Sequence, residues 1–408
     1  MHLKMTTWKL RTDPIGVAAQ RRTSVAKLYR KSAPLNAKVP DPGTCAERPF
    51  QILGLIETRE LGDLISNVVF LSTLANQFDH ARVHVKFRDL RPYFRQVLSL
   101  SPWINLAEPL PGEWPKFVRF FFPPGKVLKL LRPMSVSSQR DRQAYLYDMI
   151  ITSPLAREDA IHALPNPVPL RLPEARADEL RARLAAHGLK ADRWFATFHY
   201  REKGYMYRRD GGNRNSDPAA FDSLVDHVIA LGGQAVRLGH PGMTPFRPRD
   251  GFVDLSTTAD NFLLQAAAVS HSRFMIAGPS GPMILAPAFA IPHSFVDVVH
   301  ARAYWDLKRG DVLTHEVTTP GGEILRNASL LESGLLDLDR LTERSKAQAG
   351  YRIRKANSDE LGMVVKRLYD RTQDCPAWRP PAEVPKCPKP NKIAWPLNLT
   401  YPTSWLDL

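Results

Sequence analysis

Short apolar runs alternate with amphipathic stretches from residue 50 onward, and the two periods, near two and near 3.6 residues, predict two blocks of α/β structure. In residues 193–298, four runs read as strands: Trp194 to His199, Gln234 to Leu238, Phe252 to Leu255, and Arg273 to Ala277. Each is short, apolar and bounded by turn residues, as a buried strand should be. A helix opening at Asp217-Pro218 and stopping at Gly232-Gly233 lies between the first two, since Asp caps an N-terminus, Pro suits the first helical position and Gly ends the last turn. A second helix spans Asp260 to Ser270, and the turn Gly278-Pro279-Ser280-Gly281-Pro282 is expected to open a third. Strand, helix and strand at this spacing imply a parallel sheet with helices on both faces.

A first block begins at Pro49. Phe50 to Ile56 reads as a strand, Gly62-Asp63 as the turn after it, Leu64 to Phe78 as a helix, Ala81 to Phe87 as an alternating strand, and Arg91 to Leu100 as a helix. Prolines 109, 111, 115, 123 and 124 then interrupt regular structure in an insertion rich in Phe and Trp, before a run that includes Ala144 to Ile151. Leu164 to Pro173 holds four prolines in ten residues and marks a linker, followed by a helix from Glu174 to His187. Near the end, Ser358 to Arg371 reads as a helix capped by Ser358. The organisation expected is a basic extension over 1–45, a Rossmann-like acceptor domain over 46–173, a Rossmann-like donor-binding domain over 174–335, and a helix with a Pro-rich tail over 336–408 packing back on the body.

Composition narrows the class. The chain has 408 residues, 44% of them hydrophobic, enough for two cores. Cys45, Cys375 and Cys387 have no metal-ligand spacing and their odd number argues against a disulfide framework, which fits a reducing cytoplasm. The formal charge is +15 and uneven: about +7 falls in the first 46 residues, and much of the remainder lies beyond Arg340. Basic ends on a near-neutral body fit either solvated tails or attraction to an anionic membrane or acceptor. On either reading the protein is expected in the cytoplasm, with the second placing it on the inner face of the membrane. Nucleic acid is not the expected partner.

In open α/β sheets ligands sit outside the carboxyl ends of the strands. That rule puts His199, Arg201, Arg237, Gly239, Ser280 and Gly281 on one rim. Arginine offers two-pronged, charge-assisted bonds to phosphate oxygens. A glycine turn at a helix start lets a ligand approach backbone N–H groups. With Arg214, Asn215 and Pro282, these residues form a candidate cradle for a nucleotide diphosphate. Opposite it, Asp63 is a candidate general base for an attacking hydroxyl, or a helix cap, with Gly62 and Asn67 on the acceptor side; His199 is a second catalytic candidate, or a core histidine. Asp337-Leu338-Asp339 has a metal-binding form but suits an amphipathic surface segment better. No phosphate loop ending in Gly-Lys-Ser/Thr, His-Glu-x-x-His or Gly-x-Ser-x-Gly segment occurs, which weighs against kinases, zinc hydrolases and serine hydrolases.

His199-Tyr200-Arg201, Arg214-Asn215, Gly233 to Gly239 and Gly278-Pro279-Ser280-Gly281 together resemble a family of bacterial glycosyltransferases with a His-x-Arg segment, an Arg-Asn pair, a Val-Arg-Leu-Gly strand and a Ser-Gly turn. The Asn357 to Leu361 segment is similar to that family's closing segment. Leu61-Gly62-Asp63 and the Ser-Gly-Pro-Met turn are more distantly similar to heptosyltransferases, in which the Asp after Gly is taken as the base. The resemblance implies a GT-B architecture of two facing Rossmann-like domains, with a nucleotide-sugar as co-substrate, no separate cofactor, no metal, and a glycan or lipid-linked acceptor. The same fold also serves nucleotide-sugar epimerases and non-catalytic binding subunits. Pro279 stands where the heptosyltransferase pattern has Asp, and Glu202 where Asp is usual after His-x-Arg, so the resemblance does not extend to ADP-heptose as donor.

Overall fold

The computed structural model of the protein describes residues 49–58, 60–76, 78, 81–88, 91–110, 127–138, 140, 143–152, 168–202, 214–258, 262–298, 310–314, 316–325 and 350–373. The N-terminal extension, the aromatic insertion over 111–126, the Asp337-Asp339 segment, the three cysteines and the Pro-rich tail lie outside the described residues.

The first sheet has five strands: β1 (Gln51–Ile56), β2 (Arg82–Phe87), β3 (Ile104–Pro109), β4 (Val127–Ser137) and β5 (Ala144–Thr152). Their order is β3-β2-β1-β5-β4, parallel except for the edge strand β4. The second sheet holds β6 (Phe195–His199), β7 (Gln234–Arg237), β8 (Phe252–Asp254), β9 (Phe274–Ala277), β10 (His293–Val298) and β11 (Gly310–Thr314). All its pairs are parallel, in the order β11-β10-β9-β6-β7-β8. Numbered within the sheet this is the doubly-wound order 3-2-1-4-5-6, and the first sheet repeats its 3-2-1 half. The fold is therefore two Rossmann-like α/β halves. A small antiparallel sheet of β12 (Glu316–Thr318), β13 (Ile324–Leu325) and β14 (Arg352–Arg354) lies outside both.

The helices are α1 (Leu61–Ala75), α2 (Tyr93–Leu98), α3 (Glu174–Ala186), α4 (Pro218–Ala230), α5 (Phe262–His271), α6 (Leu285–Ala288) and α7 (Ser358–Arg371), with a 3-10 turn over Gly281–Ile284. Their starts follow from the sequence. Asp217 accepts the Ala219 N–H, with Pro218 at the first helical position of α4. Asn357 rather than Ser358 caps α7, in a reciprocal box with Glu360. β1 is buried along its whole length, which is why it carries an apolar run from Ile52 to Ile56 instead of an alternating pattern; β10 is equally buried but takes in the polar His293, Ser294 and Asp297.

One apolar core runs through both halves. Leu64, Val68 and Leu71 of α1 share it with Met283, Leu285, Phe289 and Val236 of the second half. The Pro-rich linker joins them with backbone hydrogen bonds: Leu170 N–H to Ala288 C=O at 2.7 Å and Arg171 N–H to Leu100 C=O at 2.8 Å. Val168 N–H adds a bond to Thr73 Oγ1 at 2.9 Å. An extended Pro-rich strap supplies such donors because its fixed backbone makes no helix of its own.

Four expectations change. α1 starts at Leu61, so Gly62 and Asp63 sit inside its first turn and not in a turn before it. Strand β3 occupies part of the stretch that prolines were expected to break, and ends at Pro109. β10 and β11, unexpected from the sequence, extend the second sheet to six strands. The helix expected after Ser280-Gly281 is a single 3-10 turn followed by the four-residue α6, where Pro287 has no N–H to continue the ladder.

Candidate functional site

The strand order of the second sheet reverses between β6 and β9, so the crevice that such a reversal opens lies at the carboxyl ends of these two strands. His199 ends β6, and Gly278 to Gly281 follow β9. The two segments are tied together: Gly278 N–H bonds the His199 C=O at 2.9 Å, and Ser216 N–H bonds the Arg201 C=O at 2.7 Å. Arg214 donates from Nε to the Pro279 C=O at 3.3 Å, bringing the loop after β6 onto the Ser-Gly turn. A Cβ on Gly278 would stand 2.9 Å from Ser216 Oγ, so a side chain here would displace that hydroxyl.

The first sheet reverses between β1 and β5, and the segment after β1 runs into the first turn of α1. The two reversal points touch. A Cβ on Gly62 would lie 3.2 Å from Gly281 Cα, and one on Gly281 would lie 3.0 Å from both Gly62 N and Leu61 Cβ. Backbone therefore meets backbone at the contact between the halves, and Asp63 follows Gly62 directly. Arg201, Arg214, Asn215, Ser280, Gly281, Pro282, Gly62 and Asp63 thus belong to one neighbourhood.

Individual residues differ in what they can offer. Arg201 is half-buried and Arg214 exposed, and both are positive. Ser280 Oγ donates to the Gly278 C=O at 3.2 Å and stays partly exposed. Asn215 is buried beside them. His199 is 6% exposed, and its Nδ1–H donates to the Leu238 C=O at 3.0 Å. Burial above all lowers its pKa to about 4, so the ring is neutral at neutral pH. His199 consequently presents Nε2 as an acceptor and adds no positive charge to the cradle; its burial and its bond to Leu238 match the core-histidine alternative. Asn67 donates to the Asp63 C=O at 2.6 Å within α1, which commits one of its amide protons to the helix backbone.

Arg237 does not join the cradle. Its guanidinium bonds Asp254 at 3.0 and 2.6 Å, Ser256 Oγ at 2.9 Å and the Thr244 C=O at 2.6 Å, while its central carbon lies 4.3 Å from the Phe246 ring centroid. At 1% exposure its charge is matched internally, so it fastens β7 to β8 and to the loop over 240–249. Arg237 and Asp254 are register partners on the neighbouring strands β7 and β8. Gly239 is held from both sides by the Gln265 side chain, which accepts its N–H at 3.1 Å and donates to its C=O at 2.7 Å. Sequence reading also passed over Asp297, buried in the left-handed region at φ 55° where β10 bulges. Its carboxylate accepts the Ala356 N–H at 2.8 Å, anchoring the start of α7, and burial pushes its pKa up. Among the described residues no group of three or more His, Cys, Asp or Glu is placed to hold a metal, and no helix is long and apolar enough to cross a membrane.

Two Rossmann-like halves meeting at their strand-order reversals define the GT-B class of architecture. No protein-family model matches the sequence, and none of the curated proteins does. Among solved structures, the chain is similar to the Escherichia coli ADP-heptose lipopolysaccharide heptosyltransferase II, at 14% identity and TM-score 0.47 over 79% of this chain and 100% of the other. It is similar to a family 9 glycosyl transferase from Veillonella parvula, at 12% identity and TM-score 0.47 over 79% and 97%. A third likeness is to the E. coli heptosyltransferase WaaC with ADP, at 12% identity and TM-score 0.37 over 71% and 99%. The fold assignment rests on the strand orders of the two sheets.

Two outcomes are expected. Gly281→Val should destabilise the fold by about 1–3 kcal/mol in denaturant unfolding, because the added carbons overpack the contact with Gly62. Gly321→Ala, whose Cβ would meet only Thr319 Oγ1 at 3.7 Å, should be near neutral. For His199, the folded pKa lies below that of the unfolded chain, so it has no effect above about pH 6.5. Between about pH 6.5 and 4 the unfolded chain takes up a proton that the fold excludes, and stability falls with falling pH by up to about 3 kcal/mol. His199→Gln should flatten that part of the stability profile.

Proposed function

We propose that the protein is a glycosyltransferase that moves a sugar from a nucleotide-diphosphate-sugar to a hydroxyl of a glycan, lipid-linked sugar or other acceptor, in the synthesis of a cell-surface polysaccharide or glycoconjugate. The observation that carries this reading is the contact of Gly62 with Gly281, which sets a carboxylate-bearing helix turn from one half beside the phosphate-friendly turn of the other.

In this reading the diphosphate lies along the Ser280-Gly281 turn, and Arg201 and Arg214 face its oxygens. As the bond from the anomeric carbon to the diphosphate oxygen breaks, negative charge grows on the leaving group, and the two guanidinium groups stabilise it. The acceptor oxygen forms the new bond to the anomeric carbon, and its proton passes to the Asp63 carboxylate. His199, neutral and fixed by Leu238, accepts a hydrogen bond from a donor hydroxyl through Nε2. No metal is required by this scheme, because positive side chains supply the counter-charge.

The test begins with a thermal-shift screen that finds the nucleotide. Arg201→Ala should then weaken nucleotide-diphosphate binding and transfer together, by about 10- to 100-fold, since a charge-assisted bond contributes about 1.5–3 kcal/mol. Asp63→Asn should bind the nucleotide as the native protein does but transfer about 100- to 10,000-fold more slowly. Undiminished transfer by both variants would remove this site from the reaction.

A further inference from the structure

β10 lies beside β9 in the second sheet, and its end carries an acidic residue that has no part in the scheme above. Phe295 of β10 pairs with Ala277 of β9, so Asp297 stands two residues further along, level with Pro279. The Pro279 C=O is the group that accepts Arg214 Nε. At Asp297 the backbone takes φ 55°, and the register with β11 shifts between Val296 and Val298. Aspartate is one of the few residues with a side chain that reach this left-handed region readily.

Two segments meet on this residue. One is the start of α7, whose Ala356 N–H donates to the Asp297 carboxylate at 2.8 Å. α7 is a firm support: Leu361, Val364, Val365 and Leu368 are buried in one core with Phe221 and Leu224 of α4. Its far end is held separately by Arg273, which donates to Thr372 Oγ1 at 2.8 Å and to the Tyr369 C=O at 3.0 Å. The other segment is the loop after β6. The Ser216 hydroxyl lies near enough to the carboxylate to oppose the upward shift that burial gives its pKa. Ser216 is buried, its Oγ packs against Gly278, and its N–H bonds the Arg201 C=O at 2.7 Å. A carboxylate withdrawn from water needs polar partners, and those of Asp297 include groups from both segments. A line of contact thus runs from a packed helix through Asp297 and Ser216 to the backbone of Arg201.

We propose that Asp297 is a positioning residue for the candidate site: it braces Ser216 against the start of α7, and so sets where the loop bearing Arg201 and Arg214 meets the Ser280-Gly281 turn. Its effect on a bound nucleotide rests on the transferase reading above; the brace itself does not.

Three variants separate a brace from general stability. Asp297→Gly keeps the left-handed backbone and removes the carboxylate, whereas Asp297→Asn keeps an oxygen for the Ala356 N–H and an amide for Ser216 Oγ. Arg273→Ala loosens α7 at its other end, beside the amino end of β9 and away from the rim. Hydrogen exchange of the unliganded protein reads the brace: Asp297→Gly should speed exchange at the Ser216 and Gly278 amides about tenfold while leaving Gln234–Arg237 protected. Asp297→Asn should restore most of that protection, and Arg273→Ala should leave both amides as in the native protein. Ser216→Ala, a milder change that serves if Asp297→Gly does not fold, should speed exchange at Gly278 and add little when combined with Asp297→Gly. Titration with ADP, UDP, GDP and dTDP reads the consequence: the nucleotide that the native protein binds should bind Asp297→Gly about 3- to 10-fold more weakly. Unchanged exchange at both amides in Asp297→Gly, the same loss of protection in Arg273→Ala, or undiminished nucleotide binding by Asp297→Gly would overturn the proposal. If the native protein binds none of these nucleotides while exchange behaves as expected, the transferase reading falls and the brace stands.

Discussion

The contact between Gly62 and Gly281 is the constraint on which the arrangement of the molecule depends. Each half reverses its strand order beside this point, and each reversal brings a short glycine-containing segment to the surface of its half. Two such segments can approach to backbone contact only because neither has a side chain there; a Cβ on Gly281 would stand 3.0 Å from the Gly62 nitrogen. The apolar surfaces of α1 and of the 281–289 segment then close around the contact as one core, and the Pro-rich strap bonds both sides of it. Geometry that holds the halves together also collects the charged groups of the candidate site.

Charge at the rim is sorted by burial. Arg237 and Asp254 satisfy each other inside the sheet, and His199 is held neutral, so neither adds positive charge to the crevice. Arg201 and Arg214 keep their side chains at the rim, one half-buried and the other exposed. The first half also buries an ion pair between neighbouring strands, Lys86 of β2 with Glu108 of β3.

Much of the second half was legible in the sequence, because strands buried on both faces leave unbroken apolar runs and its helices begin at Asp217-Pro218 and near Ser358 with strong capping residues. β10 was hidden by the polar His293-Ser294 at its start and by Asp297 within it. β3 was hidden by Glu108 and Pro109, polar and conformationally restricted residues that its position beside Lys86 makes tolerable. That Arg201, Arg214, Ser280 and Gly281 lie near one another was legible, because the ligand rule for parallel sheets depends only on where strands end. The pairing of Arg237 was not, since its partner Asp254 lies on the neighbouring strand β8 and the register that joins them has no local pattern in the sequence. Nor is a contact between residues as distant in sequence as Gly62 and Gly281 foreshadowed by either segment alone.

A crystal structure with the cognate nucleoside diphosphate bound tests the central claim most directly. The account predicts the diphosphate on the Ser280-Gly281 turn, within hydrogen-bond distance of Arg201 and beside the first turn of α1. A nucleotide seated elsewhere, with the Ser280-Gly281 turn and Arg201 making no contact to it, would contradict the account.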